Sequence, residues 1–543
     1  MEQVNIKDIA EAVGGILLCG DPEQRVAHIS IDSRTMKGDD LFVPLIGGKV
    51  DAHRFIGQAF QAGAVATLTS EHDSRKALPA YASAGEADTV DDGAERAAAQ
   101  GGTEGAAVQG SAGGAALQGS AAAQGSTAAQ SAAASGKGTR RGWIYVSDTK
   151  AALQKLGAWY RRRLALPLIG VTGSVGKTTT REMIGAALSA RYKVYKTPGN
   201  SNSQVGVPIT ISQIASGDEI GVIELGVSEP GEMTKIAQVA AVDQAVITNI
   251  GVAHIEQLGS KEAICREKLH IQDGMARGGC LYVNGDDPIL KTVRAKEGCR
   301  TVTYGTEEGL DYQAADLRIC EGHPVFTAIC KATKETAQVR LKVFGRHMVV
   351  NAMAALAVAG ENGIPLREAA GALEEFQGFK GRQQIRTLRG ITVIDDSYNA
   401  SPVSMKAGIR VLCDMPAAGR RIAVLADMKE LGEGSPDFHR EIGHFLVGCG
   451  VDVVLLLGEM ARLIGEQLTE DLDGARTRGG EEALRAEAAA DTAGSGQQVL
   501  YFSDKQELER WLGAEVSGGD CVLFKGSNSM GLGDVIKAVF SEA

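Results

Sequence analysis

Residues Leu166–Leu188 read LPLIGVTGSVGKTTTREMIGAAL, and this stretch decides the fold. An apolar run is followed by a turn holding Gly173 and Gly176, then by an amphipathic helix opened by Lys177 and Thr178. Strand, glycine turn and helix in that order make a phosphate-gripping loop. The glycines aim backbone N–H groups inward, the lysine reaches terminal phosphates, and the threonine hydroxyl faces Mg²⁺. The helix N-terminus adds a favourable dipole. The widespread spacing G-x-x-x-x-G-K-[ST] would need glycine at 171, where Val171 stands, so the loop has the shorter form G-x-x-G-K-T. An ordinary glycine turn with a surface lysine is the competing reading, and GKTTT directly after LPLIGV argues against it. Gly173, Ser174, Val175, Gly176, Lys177, Thr178 and Thr179 are therefore the expected nucleotide-binding positions.

Working outward, apolar strands alternate with helical stretches. EIGVIELG closes on Glu224, and QAVITNIGVAHIEQLGS places Asn249 and His254 just past another strand. Repeated β-α alternation implies parallel sheets covered by helices, and sites in such sheets gather at the carboxyl ends of strands. Glu224 would be a hard oxygen ligand for Mg²⁺. His254 is a second ligand, an electrostatic partner or a capped loop histidine. Before residue 166, DDLFVPL and AVATLTS read as strands and HRFIGQAFQAG as a helix; after 383, ITVIDDS, RIAVLAD, VDVVLLLG, QVLYFSD and CVLFKGS read as short apolar strands. The expected architecture is α/β with three domains. Residues 1–165 form a small N-terminal α/β domain, 166–383 a central ATPase-type parallel sheet, and 384–543 a Rossmann-like domain. Two low-complexity segments, about 82–141 and 470–497, lack large apolar residues. They are expected to be disordered surface insertions.

The 543 residues carry a net charge of −11, which argues against a general nucleic-acid binder. The nine cysteines form no C-x-x-C pair, so a zinc site is not expected and a reducing compartment fits. The N-terminus MEQVNIKDIAEAV lacks the apolar core of a signal peptide, and no apolar run approaches the ~20 residues that span a bilayer. The expectation is a cytoplasmic protein with no membrane insertion.

These stretches together resemble the Mur ligases, ATP-dependent amide ligases of peptidoglycan precursor synthesis, over nearly the whole chain apart from the two insertions. The short G-x-x-G-K-T-T loop is that family's form. ISIDSRTMKGDDLFVPLIGGKVDAHRFI resembles its uridine-nucleotide domain, PGNSNSQVGVP the segment after its first central helix, and ITNIGVAHIEQLGSKEAICREK the stretch with its metal-binding histidine and carbamylated lysine. VNGDDP, FGRHMVVNAMAA, GFKGRQQ, VIDDSYNASPVSM, VLADMKELGEGS and LFKGSNSM follow in the family's order. Ser401, Ala426 and Asn528 stand where the family usually has Asn, Gly and Arg, and Asp51-Ala52-His53 where it has Asp-Gly-His.

The resemblance implies roles. ATP would phosphorylate a peptide carboxylate, and the acyl phosphate would then meet an amine. The implied substrates are UDP-N-acetylmuramoyl-tripeptide and D-alanyl-D-alanine. A sister ligase adding a single amino acid is the alternative, as is a nucleotide-sensing protein without catalysis. Lys177 and Arg382 would neutralise phosphate oxygens. Thr178 and Glu224 would hold one Mg²⁺, and His254 with a carbamate on Lys268 a second. Asn351 would meet adenine and Asp396 the ribose. Asp32, Ser33 and Arg34 would bind the uridine end, with Asn200, Asn202, Tyr398 and Asn399 also on substrate, and His347 could touch the nucleotide. Blander readings stand beside these: Lys268 as a solvated helix residue paired with Glu262, Asn351 as a helix-interior asparagine, Asp396 as a helix cap, Asp32 and Arg34 as a surface ion pair. A monomer is expected.

Overall fold

The computed structural model describes residues 1–71, 140–379, 381–478 and 497–540. The first low-complexity segment thus lies almost wholly outside the described residues. The second begins inside a helix, Arg462–Arg478, and its remainder from 479 to 496 lies outside them. The chain divides into two compact units, Gln3–Thr149 and Lys150–Ala543 with Met1–Glu2.

The smaller unit is built on five strands: β1 (Ile16–Cys19), β2 (His28–Ser30), β3 (Asp40–Phe42), β4 (Ala64–Thr69) and β5 (Gly142–Tyr145). Their order is β1-β5-β4-β3-β2, parallel except for β1 against β5. Phe42, Ile56, Ala59, Phe60 and Trp143 pack its core.

The larger unit carries two sheets. The first has nine strands: β6 (Leu168–Thr172), β7 (Val194–Lys196), β8 (Ile220–Glu224), β9 (Gln244–Ile247), β10 (Cys280–Asn284), β11 (Arg300–Gly305), β12 (Tyr312–Cys320), β13 (His323–Cys330) and β14 (Thr336–Arg340). They run β14-β13-β12-β11-β10-β9-β6-β8-β7. β6, β8 and β10 are buried at every residue, as central parallel strands covered on both faces must be. β13 instead alternates half-buried with buried residues and β14 exposed with buried ones, and the two pair antiparallel, so this edge is one-sided. Helix Lys177–Leu188 packs against helix His347–Glu361, whose run Ala352–Ala359 is fully buried. The small side chains of NAMAALAVAG allow that close approach, and each larger neighbour it buries adds about 1.5–3 kcal/mol.

The second sheet has six strands: β15 (Gln384–Leu388), β16 (Ile391–Asp396), β17 (Arg421–Ala426), β18 (Val453–Leu457), β19 (Gln498–Phe502) and β20 (Cys521–Lys525). Their order is β15-β16-β20-β17-β18-β19, parallel except for β15 against β16. Every strand expected from sequence beyond residue 383 is present.

Register places the chemistry. β6 lies between β8 and β9, with Val171 opposite Glu224 and Thr172 opposite Ile247. The glycine loop after β6 therefore has Glu224 on one side and Thr248-Asn249 on the other. In the six-stranded sheet Asp396 lies opposite Lys525, each the last residue of its strand.

Candidate active site

The loop after β6 needs its glycines. Gly173 has φ +148°, and a Cβ there would lie 1.9 Å from Thr248 Oγ1; Gly176 has φ +84° and caps helix Lys177–Leu188. Neighbouring loops brace the turn. Val175 N donates to Asn249 Oδ1 at 3.0 Å, Thr248 Oγ1 donates to Val175 O at 2.6 Å, and Gly251 N donates to Ser174 Oγ at 2.8 Å. Lys177 Nζ donates to Gly173 O at 2.8 Å.

Glu224 is buried and held by three side chains. Thr178 Oγ1 donates to it at 3.0 Å, Arg181 Nη1 at 3.1 Å and Asn202 Nδ2 at 2.8 Å. A hydroxyl that spends its proton on a carboxylate turns its lone pairs outward. Thr178 and Glu224 are thus an all-oxygen donor pair suited to Mg²⁺.

The loop joins one wall of a cavity of about 500 Å³. Ser174 to Thr179, Asn249, His254, His347, Asn351, Arg382, Asp396 and Asn399 all line it. Of the other expected residues, Glu224 and Asn202 stand behind Thr178, and Tyr398 lies under the Arg382 guanidinium, 4.1 Å from carbon to ring centroid. Lys268 is buried and does not line the cavity, and Asn200 is exposed. Asp32, Ser33 and Arg34 belong to the smaller unit. There Asp32 caps the turn Ser33–Thr35 and accepts from the exposed Arg34 at 2.7 Å, the surface ion pair of the blander reading, with its carboxyl held down at about 2.

The other bland readings fare differently. Lys268 is 1% exposed and, among the described residues, forms no ion pair, so it is no solvated helix residue. Burial, with Lys177 nearby, brings its amine down to about 7. Asp396 caps no helix: Ser401 caps Pro402–Asp414, and Asp396 accepts from Lys525 Nζ at 2.6 Å. Asn351 lies inside a helix and accepts from Thr180 Oγ1 at 3.1 Å, but it also faces Gly176, 3.2 Å from where a Cβ would sit.

Basic groups collect here under poor solvation. Burial lowers the Lys177 amine, with Glu224 opposing and Arg382 reinforcing that shift. Burial lowers the His254 imidazole as well, and brings His347 down to about 4. Such a cluster is suited to a polyanion. Among the described residues, the one trio of His, Asp or Glu with ligand atoms within 4.8 Å of one another lies elsewhere, at Asp51, His53 and Glu71. Both His53 ring nitrogens already have partners there, Asp51 Oδ1 at 2.7 Å and Ser70 N at 3.1 Å.

Comparison with known proteins bears on all of this. Residues 171–359 match the Mur ligase middle domain, 381–528 the model described as Mur ligase, glutamate ligase domain, and 25–100 that described as Mur ligase family, catalytic domain. The UDP-N-acetylmuramoyl-tripeptide–D-alanyl-D-alanine ligase of Bacillus subtilis (strain 168) is 33% identical, over 98% of this chain and 97% of that protein. This chain belongs to the Mur ligase family. Among solved structures, MurF from Acinetobacter baumannii is 25% identical, with a TM-score of 0.75 and 99% of each chain covered. MurF ligase from Thermotoga maritima, solved in complex with ADP, is also 25% identical, with a TM-score of 0.68 over 96% of this chain and 98% of that one. The three-domain Mur ligase fold and the three sheets above agree.

In and behind the walls of this Mur ligase cavity several residues carry weight that sequence reading missed. Arg181 anchors Glu224, Lys525 pairs with Asp396, and Glu430 lies 2.6 Å from His254 Nδ1. Arg181 could have been suspected from its place four residues after Lys177 on one helix face. Lys525 and Glu430 lie in LFKGSNSM and VLADMKELGEGS, which carry the resemblance, but their partners stand more than a hundred residues away, so nothing local singled them out.

Proposed function

We propose that this Mur ligase joins D-alanyl-D-alanine to UDP-N-acetylmuramoyl-tripeptide, converting ATP to ADP and phosphate. The observation that carries the reading is one cavity lined by the phosphate loop, His254 and Arg382, in a chain matched end to end by a ligase of that name.

An amide needs a better leaving group than oxide. A terminal carboxylate oxygen of the peptide attacks the γ-phosphorus, ADP departs, and an acyl phosphate remains. The dipeptide amine then attacks the acyl carbon, loses a proton, and phosphate leaves. Bringing one anion to another is the obstacle, so catalysis is mainly positioning and charge neutralisation. Lys177 and Arg382 would take the phosphate oxygens, with Tyr398 holding the Arg382 plane. Asn351 would meet adenine and Asp396 the ribose. Asn200, Asn202 and Asn399 would meet the peptide substrates, and Asp32, Ser33 and Arg34 the uridine end. The domain limits near residues 165 and 383 would separate these tasks.

Thr178 and Glu224 would hold one Mg²⁺, and His254 with Lys268 a second. Bound there, the ions would offset the negative charge of the phosphates and the carboxylate. Lys268 suits that role only as an anion. An amine near pKa 7 is roughly half neutral at neutral pH, against about 1 part in 3,000 for an ordinary lysine. Only the neutral amine adds CO₂ to become a carbamate, so burial prepares this residue for carbamylation.

The test is product formation by the purified chain. ADP and phosphate should appear only with both the UDP-linked tripeptide and D-alanyl-D-alanine present, and mass spectrometry should find the pentapeptide. Equal turnover with a single amino acid would overturn the substrate assignment. No ADP under any pairing would overturn the ligase reading.

A further inference from the structure

We propose that Glu430 is a positioning residue for His254: its carboxylate, carried on the loop after β17, holds the imidazole as the Nδ1–H tautomer and leaves Nε2 as the basic nitrogen. The inference rests on the role given to His254 above.

Glu430 Oε2 lies 2.6 Å from His254 Nδ1. That nitrogen is buried, and among the described residues no group meets it in hydrogen-bond geometry; the Glu430 carboxylate is the acid paired with it. Glu430, about half exposed, is thus the acid placed to accept from an Nδ1–H once the two align. Both residues sit in the left-handed backbone region without being glycine, His254 at φ +59° and Glu430 at +64°. Two such residues facing each other mark a conformation that the surrounding structure imposes.

That structure is a braced loop. Met428 N donates to the buried His439 Nε2 at 3.0 Å, Lys429 N to Ser527 Oγ at 2.9 Å, and Ala461 N to Asp427 Oδ1 at 2.8 Å. The His254 loop docks on it through apolar contact, with Val252, Met428 and Leu431 in one core cluster and Ile255 packed against it. Gly432 permits the approach: a Cβ there would lie 3.3 Å from the Glu256 Cα. His254 belongs to the nine-stranded sheet and Glu430 to the six-stranded one, so orientation of the imidazole depends on the two sheets being docked. Carboxylate partners of this kind fix the tautomer of ligating histidines and commonly matter about 10–100-fold.

The experiment uses the full chain, labelled with ¹⁵N-histidine, without metal or nucleotide, at pH 8. Long-range ¹H–¹⁵N correlation reads the tautomer of each imidazole, and the His254→Gln variant assigns the signal. The wild type should show Nδ1–H. Glu430→Ala should move His254 toward Nε2–H, whereas Glu430→Gln, whose amide oxygen still accepts, should keep the wild-type pattern. In turnover, Glu430→Ala should lower kcat about 10–100-fold with KM for ATP within about twofold, and Glu430→Gln should recover most of it. An unchanged tautomer in Glu430→Ala overturns the proposal whatever the activity. A moved tautomer with a fully active His254→Gln sustains the positioning contact and refutes the role of His254 instead.

Discussion

Arg181→Met offers the sharpest test of how the site is built. Arg181 is fully buried and gives its guanidinium to Glu224 Oε2 at 3.1 Å, Gly199 O at 2.9 Å and Glu182 Oε1 at 2.6 Å. Glu182 keeps Lys196 as a second cation, so its loss is covered. Glu224 is 2% exposed and would keep hydrogen bonds only from the neutral donors Thr178 and Asn202, with Lys177 the remaining cation near it. Removing one partner of a buried pair costs about 3–5 kcal/mol, because the other charge stays desolvated. At about 2 °C per kcal/mol for a large unit, Tm should fall by roughly 6–10 °C. Replacing Glu224 as well, in Arg181→Met/Glu224→Gln, removes the stranded charge, so the double variant should regain half or more of the loss. Thermal unfolding of the wild type, both single variants and the double variant measures this coupling. A double variant as unstable as the sum of its parts would refute the argument that Arg181 exists to compensate Glu224. Neither variant containing Glu224→Gln should regain ATP-dependent turnover, since Thr178 would have lost its carboxylate partner.

Further outcomes follow from the same geometry. Gly173→Ala should abolish ADP binding by calorimetry, because its Cβ would fall 1.9 Å from Thr248 Oγ1 at φ +148°; retained binding would mean that the loop re-forms elsewhere. Lys268→Ala should lose most turnover and regain part of it with a small added carboxylate. With ¹³C-bicarbonate the wild type should show a carbamate resonance at pH 8 that fades toward pH 6, as an amine near pKa 7 is protonated. Burial holds His347 at about 4 against an ordinary 6.5, so below about 6.5 the unfolded chain takes a proton that the folded chain refuses. Stability from this residue is therefore full above pH 6.5 and is lost as pH falls toward 4. His347→Asn should show a smaller drop in Tm between pH 7 and pH 5 than the wild type, and an equal drop would exclude His347 as a source.

The phosphate loop was legible because its chemistry is contiguous: two glycines, a lysine and a threonine lie within six residues, Gly173 to Thr178. Strand ends were nearly as clear, since Glu224 closes an apolar run that a buried strand requires. The reading of Asp396 as a helix cap failed on local grounds alone. Ser401 stands closer to the helix and takes the cap, and Lys525 turns the aspartate into half of an ion pair. Solvation of Lys268 was equally invisible from composition. Helix Lys261–Leu269 has a polar sequence, yet Ile264, Cys265, Glu267 and Lys268 are buried.

Sequence by itself determined the strand–loop–helix that grips phosphate, the β-α alternation and the kinship with the Mur ligases. Each of these is written in neighbouring residues whose spacing sets backbone conformation. Tertiary structure alone decided which charges meet: Arg181 with Glu224, Lys525 with Asp396, Glu430 with His254. Sheet order and register bring these groups together across tens to well over a hundred residues, and their energies depend on burial, which no short stretch of sequence encodes.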